Sequence, residues 1–235
     1  MKILVLNPNT SDLVTSRIAD QVRRVARPDT QVDITQLPHG PETLESYYDE
    51  SLATPHIVEA VKAANRQGYD AVVLAAFCDP GLEALKEVSD IPVYGIEETT
   101  FSVALLLGNK FGILTERKHK ESVKWQHVRK HGLEGRFASV RAMGMGVAEI
   151  AEQPERAKEV GLAVGRRMIE EDGAEVIIMG CASMAGHSED LERALGVPIL
   201  DPIAITFKVA EGLADLRVRH SKIGLYATPV PKTMK

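Results

Sequence analysis

The stretch Glu175 to Gly186, EVIIMGCASMAG, decides how this chain is read. Val176, Ile177, Ile178 and Met179 form a short apolar run with charge before it and glycine after it. That is the pattern of a strand buried on both faces of a parallel sheet. Gly180, Cys181, Ala182 and Ser183 then make a turn of small residues, ahead of an expected helix from about Ser188 to Leu195. A thiol on the loop leaving such a strand stands where open α/β sheets place their ligands. Ala71 to Leu82, AVVLAAFCDPGL, reads the same way: an apolar run ends in Cys78, and Asp79, Pro80 and Gly81 open a helix. Cys78 and Cys181 are the only two cysteines of the protein, and both are read as ending core strands. The expectation is that the rest of the chain brings them to opposite sides of one small pocket.

Composition narrows the field. With 26% charged and 44% hydrophobic residues, 235 residues suffice for one large domain or two smaller ones with ample core. A net charge of -5 argues against nucleic acid as the main partner. No apolar run approaches the roughly 20 residues of a membrane span. Met1-Lys2 leads straight into Ile3-Leu4-Val5-Leu6, which reads as a first strand and not as a signal peptide. Two cysteines without an export signal point to free thiols in a reducing cytoplasm. The expected partner is a small-molecule substrate. Oligomeric state is left open, a homo-oligomer included.

Taken in order, KILVLNPN is a strand stopped by Pro8, and Thr10, Ser11 or Asp12 caps a helix running to about Ala26. Gln31 to Gln36 is an edge strand. Residues 37 to 54, LPHGPETLESYYDESLAT, read as an irregular binding loop or lid, and Pro55 as the first residue of a helix ending at Gly68. The Cys78 strand, a helix from about Gly81 to Val88, a strand over Pro92 to Ile96 and a helix from about Glu98 to Leu107 follow. Then the pattern restarts. Lys110 to Thr115 is a strand, Lys118 to His131 an amphipathic helix and Phe137 to Met143 a strand. Gly144 to Gly146 turns, and Glu155 to Glu171 is a long helix. The Cys181 strand, its short helix and the strand Val197 to Leu200 complete the second round. Ile203 to Val218 is a helix, and the tail with Lys222 to Tyr226 packs back on the first half. The cysteines lie about half a chain apart, which suggests a duplicated domain. The fold expected is therefore α/β, with two pseudosymmetric domains, each a four-stranded parallel sheet flanked by helices, and the site in the cleft between them. Their boundaries are read as 1–97 plus 204–235 for one domain and 98–203 for the other.

Two thiols across a small pocket suit proton removal from one face of a carbon and proton delivery to the other, one as thiolate and one as thiol. Helix N-termini after Cys78 and Cys181 would lower the thiol pKa and offer amide donors to a developing enolate. The plain alternative is two small buried core residues. Asn7, within Asn7-Pro8-Asn9-Thr10-Ser11, could bind a ligand carbonyl or carboxylate, or the segment could simply stop the strand and cap the helix. Thr115, at the corresponding strand end, could donate its hydroxyl or cap the next helix. Asp79, Pro80, Gly81, Ala182 and Ser183 flank the two thiols and complete the candidate substrate-binding set. His187 is close enough to be a base or merely a solvated cap. Gly144-Met145-Gly146 lacks the nucleotide-binding pattern. No Walker motif, metal-ligand spacing or cofactor lysine signature is present, so neither metal nor cofactor is expected.

The segments LNPNTS, ESYYDES, AAFCDPGLEAL with VYGIEE, and GCASMAG together resemble the hydantoin and allantoin racemase branch of the aspartate/glutamate racemase superfamily. The resemblance covers nearly the whole chain. It implies a two-domain pseudosymmetric fold and cofactor-free, two-base racemisation of a 5-substituted hydantoin or allantoin, with one catalytic cysteine per domain. Cys181 matches within GCASMA. In several members the first cysteine stands two positions earlier, at Ala76 here, a position on the same face of an extended strand as Cys78. The amino-acid racemases carry Asn-Thr directly after the first cysteine, whereas Asp79-Pro80 follows here. An amino-acid racemase, a decarboxylase or isomerase on this scaffold, and a small-molecule-binding protein without turnover are the alternatives.

Overall fold

Each half of the chain lays down its strands in the same spatial order. The computed structural model describes residues 1–181, 184 and 188–230. Its first sheet comprises β1 (Lys2–Asn7), β2 (Gln31–Gln36), β3 (Ala71–Leu74) and β4 (Val93–Gly95), all parallel, in the order β2-β1-β3-β4. The second comprises β5 (Phe111–Thr115), β6 (Phe137–Ala142), β7 (Val176–Met179) and β8 (Ile199–Leu200), also parallel, in the order β6-β5-β7-β8. Parallel neighbours need crossover connections, and helices supply them. The expected α/β architecture of two pseudosymmetric four-stranded sheets is the one found, with β2 at an edge.

Strand alternation sorts the core. Ile3 and Val5 join the large apolar cluster that runs through both sheets, together with α1 (Asp12–Val25), α4 (Ile96–Leu107) and α9 (Pro202–Asp215). Leu4 and Leu6 point the other way, into a smaller cluster under α2 (Tyr47–Arg66) and α3 (Leu82–Val88). The helices α4 and α9, which follow the last strand of each sheet, pack on one another, and α4 also reaches β7. In the second half α5 (Lys120–Lys130), α6 (Val147–Glu152), α7 (Pro154–Glu170) and α8 (Ser188–Leu195) complete the layers. The tail does pack back on the first half: Lys222 Nζ donates to the carbonyls of Lys86 and Glu87. Among the described residues no helix is long and apolar enough to cross a membrane.

Three expectations are corrected. Residues 37–54 are not one irregular loop, because α2 begins at Tyr47 and Pro55 lies inside it. Ser46 Oγ accepts the Asp49 N–H at 3.1 Å, and Asp49 in turn accepts the Glu45 N–H at 3.0 Å, so a capped start precedes the proline. Ala53, Ile57, Val61 and Ala64 form one buried stripe across the proline, which holds the helix together through the missing hydrogen bond. The strand carrying Cys78 also stops early, at Leu74, leaving the thiol on a loop. Finally α6 stands where only a turn was expected after Gly144.

Ser46→Ala removes the α2 cap and is expected to lower stability by about 1 kcal/mol. Urea unfolding should show a lower midpoint at an unchanged slope. An unshifted midpoint would mean that the hydroxyl does not start the helix.

Candidate active site

The carboxyl ends of the two sheets face one cavity, and Cys78 and Cys181 both line it. Their approach differs. Cys181 is two residues past β7, while Cys78 is four residues past β3, and the counterpart of Cys181 by distance from the strand is Ala76, on the same cavity wall. Gly180 allows the close passage before Cys181, since a Cβ there would lie 2.8 Å from Ile113 Cγ2 and 2.9 Å from the Leu114 carbonyl oxygen. On its far side Cys78 borders a second, polar hollow lined by Glu50, Asp79, Glu97, His127 and His131.

The Cys78 loop is held from behind. Lys124, on α5, donates to the Phe77 carbonyl and, at 2.8 Å, to Glu97 Oε1 on α4. Its ammonium also lies 4.5 Å from the centre of the Phe77 ring. His127 Nδ1 pairs with the other Glu97 oxygen. Burial works against the Glu97 charge, yet Lys124 and His127 hold its carboxyl below the usual range. Burial likewise opposes the Lys124 charge, and Glu97 keeps its ammonium above its ordinary value.

Asp79, expected against substrate, does another task. Its carboxylate accepts the N–H groups of Glu97 at 3.1 Å and Glu98 at 2.8 Å, capping α4. Burial and the nearby Glu97 push that carboxyl up to about 8, against the two N–H bonds that favour its charge. Gly95 makes room for it, because a Cβ there would fall 2.3 Å from the Asp79 carboxyl carbon. Pro80 and Gly81 continue the turn away from the cavity, and Gly81 takes a left-handed φ of 68° at the start of α3.

Asn7 is fully buried behind the wall, where its Nδ2 donates to Asn9 Oδ1 at 2.7 Å and to Thr15 Oγ1 at 2.8 Å. Asn9 is the one that lines the cavity. Thr115 is buried too, and its hydroxyl donates to Glu116 Oε2 at 2.7 Å, so Glu116 reaches the cavity in its place. Ala182, Ser183 and His187 lie outside the described residues. Glu116, Lys120 and Lys124 were not singled out in the sequence, although their spacing of four puts them on one side of α5 and its approach.

The expected lowering of the Cys78 pKa is not met. Burial and the neighbouring Glu50 push the thiol well up, against the pull of Lys124 and Lys120. The N–H groups of Cys78 and Asp79 are not turned to the cavity either, since both donate to the Ala76 carbonyl, at 2.8 and 3.0 Å. The loop folds back on itself because α3 starts only at Leu82, four residues beyond the thiol.

The Asp/Glu/hydantoin racemase family matches residues 3–210. The chain belongs to that family. It is 38% identical to the hydantoin racemase of a Pseudomonas species, over 99% of this chain and 93% of that one. It is 37% identical to the hydantoin racemase of Paenarthrobacter aurescens, over 99% of both. Among solved structures, allantoin racemase from Pseudomonas fluorescens superposes with a TM-score of 0.94 at 37% identity, over the full length of both chains. Allantoin racemase from Klebsiella pneumoniae superposes with a TM-score of 0.95 at 31% identity, over 100% of this chain and 96% of that one. Family membership places the protein among the isomerases, as a racemase.

The pKa of Cys78 yields a labelling test. Iodoacetamide reacts with thiolates, so alkylation of Cys78 should be slower than that of a free cysteine at pH 7 to 8 and climb steeply beyond about pH 9. Peptide mass spectrometry across that range reads Cys78 apart from Cys181. Rapid labelling of Cys78 at neutral pH would contradict the environment described.

Proposed function

We propose that this protein racemises a 5-substituted hydantoin or allantoin without a cofactor, Cys78 and Cys181 acting from opposite walls of the cavity. The observation that carries the reading is that one small cavity is lined by both of the chain's thiols, each from a different half. The ring carbon lies between a carbonyl and a nitrogen. A thiolate on one face takes its proton, and the C–H electron pair passes into the carbonyl to give an enolate. The thiol on the other face then returns a proton to that carbon and becomes the thiolate. Roles exchange for the other enantiomer. Burial and Glu50 raise the Cys78 pKa, which favours the thiol form of that residue before substrate binds.

Replacement of either cysteine by serine keeps the size and removes the acidity. Each change is expected to cost about 10²–10⁴-fold in racemisation. Each variant should still exchange solvent deuterium into one enantiomer, with opposite preferences for the two. Polarimetry of enantiopure hydantoins and allantoin, with proton NMR for exchange, reads both effects. If Cys78→Ser racemises at near wild-type rate while Cys181→Ser is inactive, the two-thiol reading fails. A cysteine at position 76, introduced into the Cys78→Ser background, stands on the same wall at the register of Cys181 and should recover activity.

Activity should also survive exhaustive treatment with EDTA and need no added pyridoxal phosphate. Loss on chelation, restored by a divalent cation, would replace the two-base mechanism with a metal-dependent one. Among the described residues no group of three or more His, Cys, Asp or Glu side chains is arranged to hold a metal ion.

A further inference from the structure

Lys120 opens α5 with its side chain lining the cavity between the two thiols. The residue is only 3% exposed. No carboxylate of the described residues comes within 4 Å of its nitrogen, and its side chain makes no hydrogen bond within them. The other polar groups of the wall have protein partners. Lys124 is held by Glu97 and the Phe77 carbonyl, Glu116 by the Thr115 hydroxyl, and Asn9 by Asn7 and the Ser11 N–H.

Three separate costs attach to Lys120. An ammonium on a residue so little exposed gives up much of its hydration. Its three donors find no acceptor among the described residues. It also stands in the first turn of a helix, where the backbone dipole repels positive charge. Glu50 and Glu116 carry negative charge into the neighbourhood, but neither forms an ion pair with it. Burial raises the Glu50 pKa, and Lys120 is first among the groups that oppose the rise, from beyond ion-pair distance. On the first wall, moreover, the amides of Cys78 and Asp79 are spent on the Ala76 carbonyl and offer nothing to an anion.

We propose that Lys120 is the anion-binding group of this cavity, its ammonium receiving a negatively charged oxygen of the bound ligand. That oxygen has two chemical sources. One is a carboxylate on the substituent at ring position 5, and the other is the ring enolate that forms during proton transfer. The ring framework of the ligand rests on the racemase reading above, whereas the charge recognition rests on Lys120 alone.

The test uses 5-(carboxymethyl)hydantoin and its neutral isostere 5-(carbamoylmethyl)hydantoin, titrated by calorimetry into the wild type, Lys120→Met and Lys120→Arg, with racemisation followed by polarimetry. If the substituent supplies the anion, the wild type binds the acid at least about 10-fold tighter than the amide. Lys120→Met then abolishes that preference, Lys120→Arg keeps it, and binding of the amide persists in both variants, which also reports an intact fold. If the enolate supplies it, acid and amide bind alike, and Lys120→Met lowers kcat on the amide by about 10²-fold or more with KM little changed. The proposal is overturned if the wild type shows no preference for the acid and Lys120→Met turns over the amide at wild-type kcat. It is overturned equally if Lys120→Met loses acid and amide binding alike. A wild type that racemises neither compound defeats the racemase reading. The binding preference then decides Lys120 by itself, its presence supporting the anion site and its absence overturning it.

Discussion

The buried Lys124–Glu97 pair is the constraint on which the first wall of the cavity depends. It joins three pieces from distant parts of the chain: α5, the first turn of α4, and the loop that carries Cys78. Neither charge reaches solvent to any useful degree, with exposures of 2% for both residues. Such a pair contributes little net stability over an apolar filling, but losing one partner strands the other, at a cost of about 3–5 kcal/mol. The arrangement is therefore a position lock. The loop it holds lies beyond the end of β3 and has its own amides folded inward, so Lys124 on the Phe77 carbonyl and Asp79 on the first turn of α4 together fix the thiol against the cavity.

The lock also explains how two pseudosymmetric halves come to differ at the point where their chemistry would be equivalent. In the second half α9 is capped by the residue just before it: Asp201 accepts the N–H groups of Ile203 and Ala204 at 2.9 and 3.2 Å. In the first half the N-cap of α4 is Gly95, which has no side chain to offer, and Asp79 from the Cys78 loop supplies the carboxylate. The loop must reach the start of α4 to do this. Its extra length moves the thiol two residues beyond the register that Cys181 occupies in the other sheet. A glycine at 95, an aspartate at 79 and a cysteine at 78 in place of 76 are thus parts of one local solution.

Much of the fold was legible because it rests on short-range signals. The apolar runs AVVL and VIIM, each preceded by an acidic residue, read as buried strands, and their recurrence within the same order of elements implied the duplicated sheets. The start of α2 was missed because Pro55 reads as a first helical residue. The evidence against that was present in Ser46 and Asp49, spaced as a cap, and in the buried period from Ala53 to Ile57 across the proline. The site was harder. Which of Asn7 and Asn9 faces a ligand depends on how a turn folds, and the same holds for Thr115 and Glu116. For Thr115 and Glu116 a one-residue shift reverses the face that an extended chain presents, and no pattern in the sequence specifies that shift.

The helix α5 stands where it was expected, but its inward face was not legible, and that bears on chemistry. An amphipathic helix is read by assuming that its apolar side is the buried one. Here Lys120 and Lys124 are buried while Trp125 is 43% exposed, so the inward stripe begins with two ammonium groups before Val128 resumes the apolar core. Binary patterning cannot report such an inversion, because it takes charge as a mark of the surface. The inversion puts one cation to structural use against Glu97 and leaves the other lining the cavity of the thiols, with no carboxylate of the described residues within 4 Å. A buried cation on a cavity wall is the kind of group that stabilises a developing negative charge where water is excluded, although its place in the first turn of a helix is unfavourable for it.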